Sequence, residues 1–231
     1  FDILVDLIVD QPRAVLDVGT GTGDLARPLA GRVARVDALD PSAAMLALGR
    51  NLPGGDRPTL RWIYGSAEQA PLLPPYALVT AGESLHWMDW EVVLPRFAAS
   101  LMPGGMLAIV HRTELELPWL SELFALIART VPDYQYQHFD LIVELEQRRL
   151  FTKIDARETA PLAYRQTVDD YILALHSMSS LSRAVLTAQQ VAAFDAAVAE
   201  MVAPWVVEGK LPLRAAGSVV WGKPHAPDAA R

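Results

Sequence analysis

The chain has 231 residues, of which 52% are apolar and 20% charged, with a net charge of −7 and no cysteine. This composition excludes a mainly disordered chain and predicts a single domain over residues 1–223 that carries insertions. The acidic balance disfavours a nucleic acid partner, because phosphate binding requires a basic face. The lack of cysteine excludes disulfides, thiolate metal sites and thiol nucleophiles.

The uncharged stretches are too short to cross a bilayer. The longest, Gln69–Gly82 and Phe97–Val110, have 14 residues each and are interrupted by proline or glycine. A spanning helix needs about 18 apolar residues or more, so we expect no membrane partner. We expect a cytoplasmic monomer or homodimer, since the missing cysteines fit a reducing compartment. The chain opens on Phe1 without a signal-peptide pattern, and we expect further residues upstream.

Strands and helices alternate over the first 110 residues. The apolar face of Phe1, Leu4 and Ile8 indicates a helix that ends before Pro12. Short apolar runs predict strands, and longer segments with helical periodicity lie between them. The predicted strands are Ala14–Val18, Arg35–Leu39, Leu60–Tyr64, Ala77–Ala81 and Met106–Val110, and the helices are Leu25–Ala30, Ser42–Gly49 and Trp90–Met102, with a Pro103-Gly104-Gly105 turn. This alternation predicts an α/β, doubly wound fold with a mostly parallel sheet.

The alternation ends after His111. A helical pattern covers 118–129, and strand-like patches at 151–165 and 213–222 are candidates for the remaining edge of the sheet. Thr167 and Thr187 each begin a helix with a capping pattern. We expect cap insertions at about 118–150 and 166–210, and a disordered tail at 224–231.

A glycine-rich turn follows the first strand and carries most of the chemical information. In Asp17-Val18-Gly19-Thr20-Gly21-Thr22-Gly23-Asp24, Gly19 permits a tight turn, Gly21 lets the backbone approach a ligand, and Gly23 allows close helix packing. A dinucleotide fingerprint requires its third glycine at position 24. Asp24 stands there and opposes a pyrophosphate. The alternative is that the glycines serve the turn geometry alone.

Asp40 ends the second strand. Ligands of open α/β sheets bind outside the carboxyl ends of the strands, where a carboxylate accepts hydrogen bonds from both hydroxyls of a ribose. The alternative role for Asp40 is the N-cap of the next helix, which Ser42 is also suited to fill.

With these motifs the chain resembles the class I S-adenosylmethionine-dependent methyltransferases. The resemblance rests on the glycine loop, Asp40, Gly65-Ser66-Ala67-Glu68 after the third strand, and Leu101-Met102-Pro103-Gly104-Gly105 before the fifth. The His86-Trp87 pair after the fourth strand is similar to the small-molecule branch that includes the trans-aconitate methyltransferases. The resemblance implies a seven-stranded, Rossmann-like sheet with a helical substrate cap.

The resemblance also implies a cofactor, S-adenosyl-L-methionine, its product S-adenosyl-L-homocysteine, and a role for each matching residue. Asp17, Gly19, Thr20, Gly21 and Gly23 would hold the methionine portion, and Asp40 the ribose. Pro41 and Met45 would flank the adenine, Ser66, Ala67 and Glu68 would meet its polar edge, and Ala81, Gly82 and Glu83 would line the passage to the sulfonium. Many relatives have aspartate at the position of Ser66, so adenine recognition uses the hydroxyl and backbone or shifts to Glu68. Many also have aspartate where Ala77 stands, a change that we do not explain.

Methyl transfer requires few catalytic side chains, because the task is to align acceptor, methyl and sulfur in a dry pocket. A carboxylate acceptor needs no base, whereas a hydroxyl or amine benefits from one. His86 is the candidate base, with a place in the cofactor wall or the core as its alternatives. The histidines lack metal-ligand spacing, so we assign no metal.

The expected function is methyl transfer to a small organic acceptor, with oxygen favoured as the nucleophile. The alternatives are a nicotinamide-dependent oxidoreductase and a cofactor-binding subunit without transferase activity. Cations and aromatic residues of the later segments are candidate contacts for the acceptor: Arg112, Arg129, Arg148, Arg149, Lys153, Arg165, Arg183, Trp119, Tyr134 and Tyr136.

Overall fold

Two compact units make up the described part of the chain. The structure is a computed structural model that describes residues 1–131, 140–177, 181–183 and 185–226. The first unit consists of the described parts of Phe1–Arg112, Phe139–Glu158 and Gly217–Arg231. The second consists of those of Thr113–His138 and Thr159–Ala216. No helix among the described residues is long and apolar enough to cross a membrane.

A mostly parallel sheet forms the centre of the first unit. Its strands are β1 (Ala14–Val18), β2 (Arg35–Asp40), β3 (Leu60–Tyr64), β4 (Tyr76–Gly82), β5 (Leu101–Leu115), β6 (Phe151–Glu158) and, after β7 (Leu162–Gln166), β8 (Leu211–Pro224). Their order is β3-β2-β1-β4-β5-β8-β6, with β7 off this path. The pairs from β3 to β5 are parallel, whereas β6 is antiparallel to β8. The predicted α/β, doubly wound sheet is therefore confirmed, but it has eight strands among the described residues where seven are expected, because β7 also pairs with β8.

The helices are α1 (Asp2–Asp6), α2 (Ala26–Leu29), α3 (Ala43–Asn51), α4 (Trp90–Ser100), α5 (Leu120–Thr130), α6 (Leu141–Gln147), α7 (Val168–Leu175) and α8 (Ala188–Val202). Two apolar clusters cover the two faces of the first unit's sheet. Leu16 packs in the cluster that contains Phe97 of α4, and its neighbour Val15 packs in the cluster that contains Leu29 of α2. Adjacent residues of a strand face opposite sides, so β1 is buried on both faces, as the sequence predicts.

The second unit has its own core around Trp119, Tyr171 and Phe194, which contains side chains of α5, α7 and α8. Strand β7 pairs antiparallel with the first half of β8. Both predicted helix starts are confirmed. Thr167 accepts a hydrogen bond from the Asp170 backbone N–H, and Thr187 forms a full capping box with Gln190.

The fifth strand is longer than the sequence predicts. Leu101 pairs with Tyr76, and Met106 pairs with Leu78, two residues further along β4. Between these two pairs, β5 advances by five residues while β4 advances by two. The predicted Pro103-Gly104-Gly105 turn is therefore an irregularity inside β5. The prediction that α4 extends to Met102 is wrong, because Leu101 has extended backbone and already pairs in the sheet.

Two boundaries differ from those expected for the cap and the tail. Helix α6 belongs to the first unit, although it falls inside the expected insertion 118–150. Pro224 ends β8, and the His225 N–H donates a hydrogen bond of 2.8 Å to the Leu150 carbonyl, so the expected tail does not begin at 224. Residues 227–231 of that tail lie outside the described residues.

A buried carboxylate connects three strands of the first unit. Asp37 of β2 accepts two hydrogen bonds of 2.9 Å from the Arg61 guanidinium of β3 and one of 2.7 Å from the Tyr76 hydroxyl of β4. The Tyr76 hydroxyl in turn accepts a hydrogen bond from the Leu73 N–H. Burial, together with the bond to Asp37, raises the pKa of Tyr76 to about 12. The hydroxyl is therefore a permanent donor to Asp37 at physiological pH.

We predict that Tyr76→Phe lowers the free energy of unfolding by about 1 to 3 kcal/mol, because it leaves buried polar groups without a partner. Urea denaturation measures the change. Tyr64→Phe is the matched control, since the Tyr64 side chain is 68% exposed, and surface substitutions usually change stability by less than about 0.5 kcal/mol. Equal losses in the two variants would contradict the role given to the Asp37 network.

Candidate functional site

The carboxyl ends of neighbouring strands bring three loops together in the first unit. Asp17 of β1 pairs in parallel with Ala38 of β2 on one side and with Thr80 of β4 on the other. The loops that follow these strands therefore leave the same edge of the sheet. This edge is where open α/β sheets bind ligands.

The glycine loop after β1 depends on backbone that other residues adopt at a cost. Gly19 and Gly21 have φ of 63° and 57°, in the left-handed region that favours glycine. A Cβ on Gly19 would collide with the Cβ of Ser84, the buried residue whose hydroxyl donates to the Val18 carbonyl at 2.7 Å. Gly19 is thus required for close contact between the loops after β1 and β4.

Gly21 differs from its neighbours because it borders open space. A Cβ there would meet only the end of the flexible Met45 side chain, at 3.9 Å. At Gly23, by contrast, a Cβ would lie 2.6 Å from the Trp62 ring of β3. The predicted close packing at Gly23 is present, with a strand side chain as its neighbour. Gly21 alone of these three leaves room for a ligand against the backbone.

Asp40 binds the glycine loop at the end of β2. Its side chain is 7% exposed, and its Oδ2 accepts a hydrogen bond of 2.7 Å from the Gly21 N–H. Its Oδ1 accepts one of 2.8 Å from the Ser42 N–H. The N-cap of α3 is Ser42, whose hydroxyl accepts from the Met45 N–H, so the alternative capping role of Asp40 is wrong. An ionised carboxylate offers about four acceptor positions, which leaves Asp40 capacity for two further donors.

Asp17 places a second carboxylate beneath the loop. It is 2% exposed and accepts hydrogen bonds from the hydroxyls of Thr20, at 2.5 Å, and Thr80, at 2.7 Å. Burial raises the pKa of Asp17 to about 6, although both hydroxyls act in the opposite direction. Among the described residues no cationic group pairs with it. The free protein therefore holds an acidic group that a bound cation would stabilise in its ionised form.

The predicted adenine contacts occupy the loop after β2, the first turn of α3 and the loop after β3. Pro41 and Met45 are exposed, whereas Ala67 is buried. Glu68 accepts a hydrogen bond from the Asp89 N–H at 3.1 Å. Burial raises the pKa of Glu68, but hydrogen bonds from backbone N–H groups and the Ser66 hydroxyl outweigh it and keep the value below the usual range. Glu68 is thus an ionised acceptor in direct contact with Ser66.

At the end of β4, Ala81 is buried, Gly82 packs against Leu25, and Glu83 leaves the sheet with a positive φ of 49°. The Glu83 carboxylate accepts a hydrogen bond of 2.7 Å from the Arg112 N–H and lies 3.2 Å from Nδ1 of His111. Burial raises the pKa of Glu83, but these two bonds outweigh it and lower the value. The loop after β4 is therefore attached to β5 at His111 and Arg112.

His86, the predicted base, lies in a short 3-10 turn of the same loop, with its ring 4.8 Å from that of Trp87. Partial burial lowers the pKa of His86, and the nearby Glu83 carboxylate acts in the opposite direction. Its catalytic role stays a prediction. His111, for which the sequence alone predicts no role, lies beside Glu83. The signal for this contact is the pairing of β4 with β5, which makes the residue after β4 a neighbour of His111 within β5.

Several of the residues predicted to contact the acceptor form ion pairs or hydrogen bonds with other side chains of the protein. Arg148 pairs with Glu144, Arg165 with Glu208 and Arg183 with Asp195, while the Trp119 indole donates to the Tyr171 hydroxyl. Tyr134 and Tyr136 lie outside the described residues.

The second unit contains a pocket of about 520 Å³ beside the Trp119 and Trp205 rings. Its two arginines, Arg165 and Arg214, are paired with Glu208 and Glu116. The pocket therefore presents aromatic surface and compensated charge. In the part of the chain that the structure describes, no group of three or more acidic or histidine side chains is arranged to hold a metal ion.

Comparison with known proteins identifies the family. Residues 15–105 match the model of a methyltransferase domain. The 2-phytyl-1,4-naphtoquinone methyltransferase of Thermosynechococcus vestitus is 37% identical over 162 residues, which cover 67% of this chain and 70% of that protein. The trans-aconitate 2-methyltransferase of Delftia acidovorans is 34% identical over 142 residues, or 54% of this chain and 51% of the relative. The chain thus spans about half the length of several curated relatives that it matches.

The fold agrees with this assignment. The structure of a SAM-dependent methyltransferase from Geobacter sulfurreducens, determined with S-adenosyl-L-homocysteine, superposes with a TM-score of 0.53 at 16% identity and covers 97% of this chain and 90% of that one. The glycine loop, the acidic end of β2 and the strand order occur together with these matches. The chain belongs to the class I S-adenosylmethionine-dependent methyltransferases.

Proposed function

We propose that this protein transfers a methyl group from S-adenosyl-L-methionine to an oxygen atom of a small organic acceptor. The observation that carries the proposal is the pairing of Gly21 with Asp40. The Asp40 carboxylate fixes the loop through the Gly21 N–H, and open space lies where a side chain of residue 21 would stand. A nucleoside fits this arrangement, because its ribose hydroxyls find an ionised acceptor beside exposed backbone.

The buried carboxylate of Asp17 supports a zwitterionic ligand with an ammonium group. A buried acid without a cationic partner among the described residues is destabilising, and an ammonium group offsets that cost when it binds. A diphosphate would add negative charge beside Asp17, Asp24 and Asp40. Together with the family, these charges disfavour the nicotinamide alternative.

The bound cofactor supplies a methyl group that is already electrophilic, so the protein's task is positioning. Asp40 and Gly21 orient the nucleoside, and Asp17 with Thr20 orients the amino acid portion. Ala81, Gly82 and Glu83 at the end of β4 line the approach of the acceptor oxygen for an in-line displacement. Alignment of this kind contributes a large share of a bimolecular rate enhancement.

Calorimetric titration of the protein with S-adenosyl-L-methionine, S-adenosyl-L-homocysteine and NADH tests the cofactor. We expect both adenosyl compounds to bind and NADH not to bind. Release of S-adenosyl-L-homocysteine in the presence of a small-molecule extract then tests the transfer. Binding of NADH alone would contradict the proposal, and cofactor binding without release under any acceptor would favour a cofactor-binding subunit.

Gly21→Ala tests the open space in the loop. We expect cofactor affinity to fall at least tenfold, because the methyl group enters the ligand space and strains a residue at positive φ. Gly209→Ala is the matched control. Gly209 also has a positive φ, of 75°, and no atom lies within 4 Å of an added Cβ. The Gly209→Ala variant therefore introduces the same backbone strain at a position outside the candidate cofactor site. If both variants bind the cofactor as the unchanged protein does, the loop has another purpose.

Asp17→Asn tests the buried carboxylate through stability and binding together. Folding raises the pKa of Asp17 from 3.8 to about 6, because the folded protein favours the protonated carboxyl. The stability that this protonated carboxyl contributes is therefore present below pH 4 and is lost as pH rises through 6. We therefore expect the variant without cofactor to match the parent near pH 4 and to exceed it at pH 7.5 by roughly 3 kcal/mol at most. Urea denaturation at the two pH values measures this.

The same substitution removes the partner of the cofactor's ammonium group. We expect the dissociation constant to rise about 10- to 100-fold, as for loss of a charge-assisted hydrogen bond. Asp24→Asn is the control on the same loop, because the Asp24 side chain is 82% exposed. Asp24→Asn should change neither the free energy of unfolding nor the dissociation constant of the cofactor appreciably. An Asp17→Asn variant that loses stability at pH 7.5 and keeps its affinity would overturn the assignment.

A further inference from the structure

We propose that His111 is the general base of the transfer reaction, that Glu83 positions it, and that the acceptor is consequently a phenolic or enolic hydroxyl. This inference rests on the proposed methyl transfer and deepens it, because it selects one acceptor class. It also moves the catalytic role from His86, in the loop after β4, to the residue that follows the buried part of β5.

The strand register brings the two side chains together. Gly82 of β4 and Val110 of β5 are register partners in a parallel pair. Glu83 and His111 are the next residues of each chain segment, so they emerge side by side at the carboxyl edge of the sheet. This is the edge that carries the glycine loop and Asp40.

Three hydrogen-bonding contacts fix Glu83 against β5. Its N–H donates to the Val110 carbonyl at 3.1 Å, its Oε1 accepts from the Arg112 N–H at 2.7 Å, and its Oε2 lies 3.2 Å from His111 Nδ1. The φ of 49° at Glu83 is uncommon for a residue with a side chain. Such backbone persists where surrounding contacts determine it, and it is frequent at functional sites.

The contact with Glu83 selects the tautomer of His111. An ionised carboxylate only accepts hydrogen bonds, so the ring presents an N–H at Nδ1 and keeps the lone pair on Nε2. The His111 side chain is 34% exposed and thus accessible to a small molecule. A histidine oriented by a carboxylate through one nitrogen is the arrangement used to accept protons with the other.

The charges around His111 favour proton uptake. The hydrogen bond that His111 donates to Glu83 is the largest cause that raises the pKa of His111, burial acts against it, and the Asp140 carboxylate adds to the rise. His86 lies near the same carboxylate, but burial lowers its pKa. The titratable groups near His111 are thus Glu83 and His86 from the loop after β4 and Asp140 at the N-cap of α6.

The pair formed by His111 and Glu83 is useful only for an acceptor that must lose a proton. A carboxylic acid is already ionised at neutral pH, whereas a phenol, with a pKa near 10, is mostly protonated and within reach of imidazole. In the proposed step, His111 Nε2 takes the hydroxyl proton as the oxygen forms its bond to the methyl carbon. The carbon–sulfur bond breaks, and its electron pair stays on the sulfur of S-adenosyl-L-homocysteine.

The first experiment needs no acceptor. Nitrogen-15 NMR of the histidine rings in the full chain with S-adenosyl-L-homocysteine reports the tautomer of His111, assigned with His111→Gln. We expect the Nδ1–H tautomer in the parent and its loss in Glu83→Gln. The Nε2–H tautomer in the parent would overturn the inference even if the cofactor binds, whereas absence of cofactor binding would contradict the proposed function instead.

The second experiment identifies the acceptor class. The protein is incubated with methyl-labelled S-adenosyl-L-methionine and either catechol, trans-aconitate or a small-molecule extract, and the products are treated with alkali. Methyl esters release labelled methanol, whereas methyl ethers retain the label. We expect alkali-stable label from catechol or the extract. Label that leaves as methanol, or transfer to trans-aconitate alone, would overturn the inference.

The variants separate catalysis from structure. His111→Gln should lower kcat about 100-fold or more and leave the dissociation constant of the cofactor unchanged. Glu83→Gln should shift the acidic limb of the pH–rate profile to lower pH, because the carboxylate that raises the pKa of His111 is gone. His225→Gln, at the residue that follows β8, should leave kcat and the pH–rate profile unchanged. If the acidic limb of the pH–rate profile shifts in His86→Gln but not in Glu83→Gln, the base is His86 and not His111.

Discussion

The hydrogen bond from the Gly21 N–H to the Asp40 carboxylate is the constraint on which the candidate site depends. It joins the end of β2 to the loop after β1, and it requires a residue that accepts a φ of 57°. A second bond, from the Ser84 hydroxyl to the Val18 carbonyl, joins the loop after β4 to β1. Between these two bonds the loop has little freedom. The ligand surface is therefore formed before any ligand arrives, which reduces the entropic cost of binding.

Burial of Asp17 at the same edge of the sheet lowers the stability of the protein when the carboxyl is ionised. A carboxylate that is 2% exposed and hydrogen-bonded to two neutral hydroxyls is less stable ionised than it would be in water. Apolar substitution or an internal cation would relieve this cost, as the Arg61 guanidinium does for Asp37 of β2. The contrast lies between two buried aspartates of one sheet. Asp37 is paired with a cation of the protein, whereas Asp17 has no cationic partner among the described residues and, in the proposed function, is neutralised by the ligand.

The features that the sequence predicts correctly are those with a local residue pattern. A pattern readable over a few positions indicates the buried strand Ala14–Val18, the capping box of Thr187 and the Gly19–Gly23 turn, although distant segments supply the contacts that hold the strand and the turn. The course of β5 through Pro103-Gly104-Gly105 depends instead on its register against β4, which the local composition does not encode. The pairing of β7 with β8 joins segments about 50 residues apart. The sequence predicts strands in both segments as candidates for the remaining edge of the sheet, but it does not predict their register. Proline and glycine predict a break in regular structure, but only the neighbouring strand decides whether the break is a turn or an irregularity within a strand.

The same distinction explains why the sequence points to His86 and not to His111. His86 stands beside Trp87 in a short, recognisable segment after β4, whereas His111 is separated from Glu83 by 28 positions. Only the parallel pairing of β4 with β5 makes them neighbours. Placing the acid next to the end of β4 and the base within β5 has a physical advantage over placing both in one loop. His111 is held by its strand, and Glu83 is fixed to that strand by hydrogen bonds with the Val110 carbonyl and the Arg112 N–H, so the distance between the two side chains depends little on the rest of the loop.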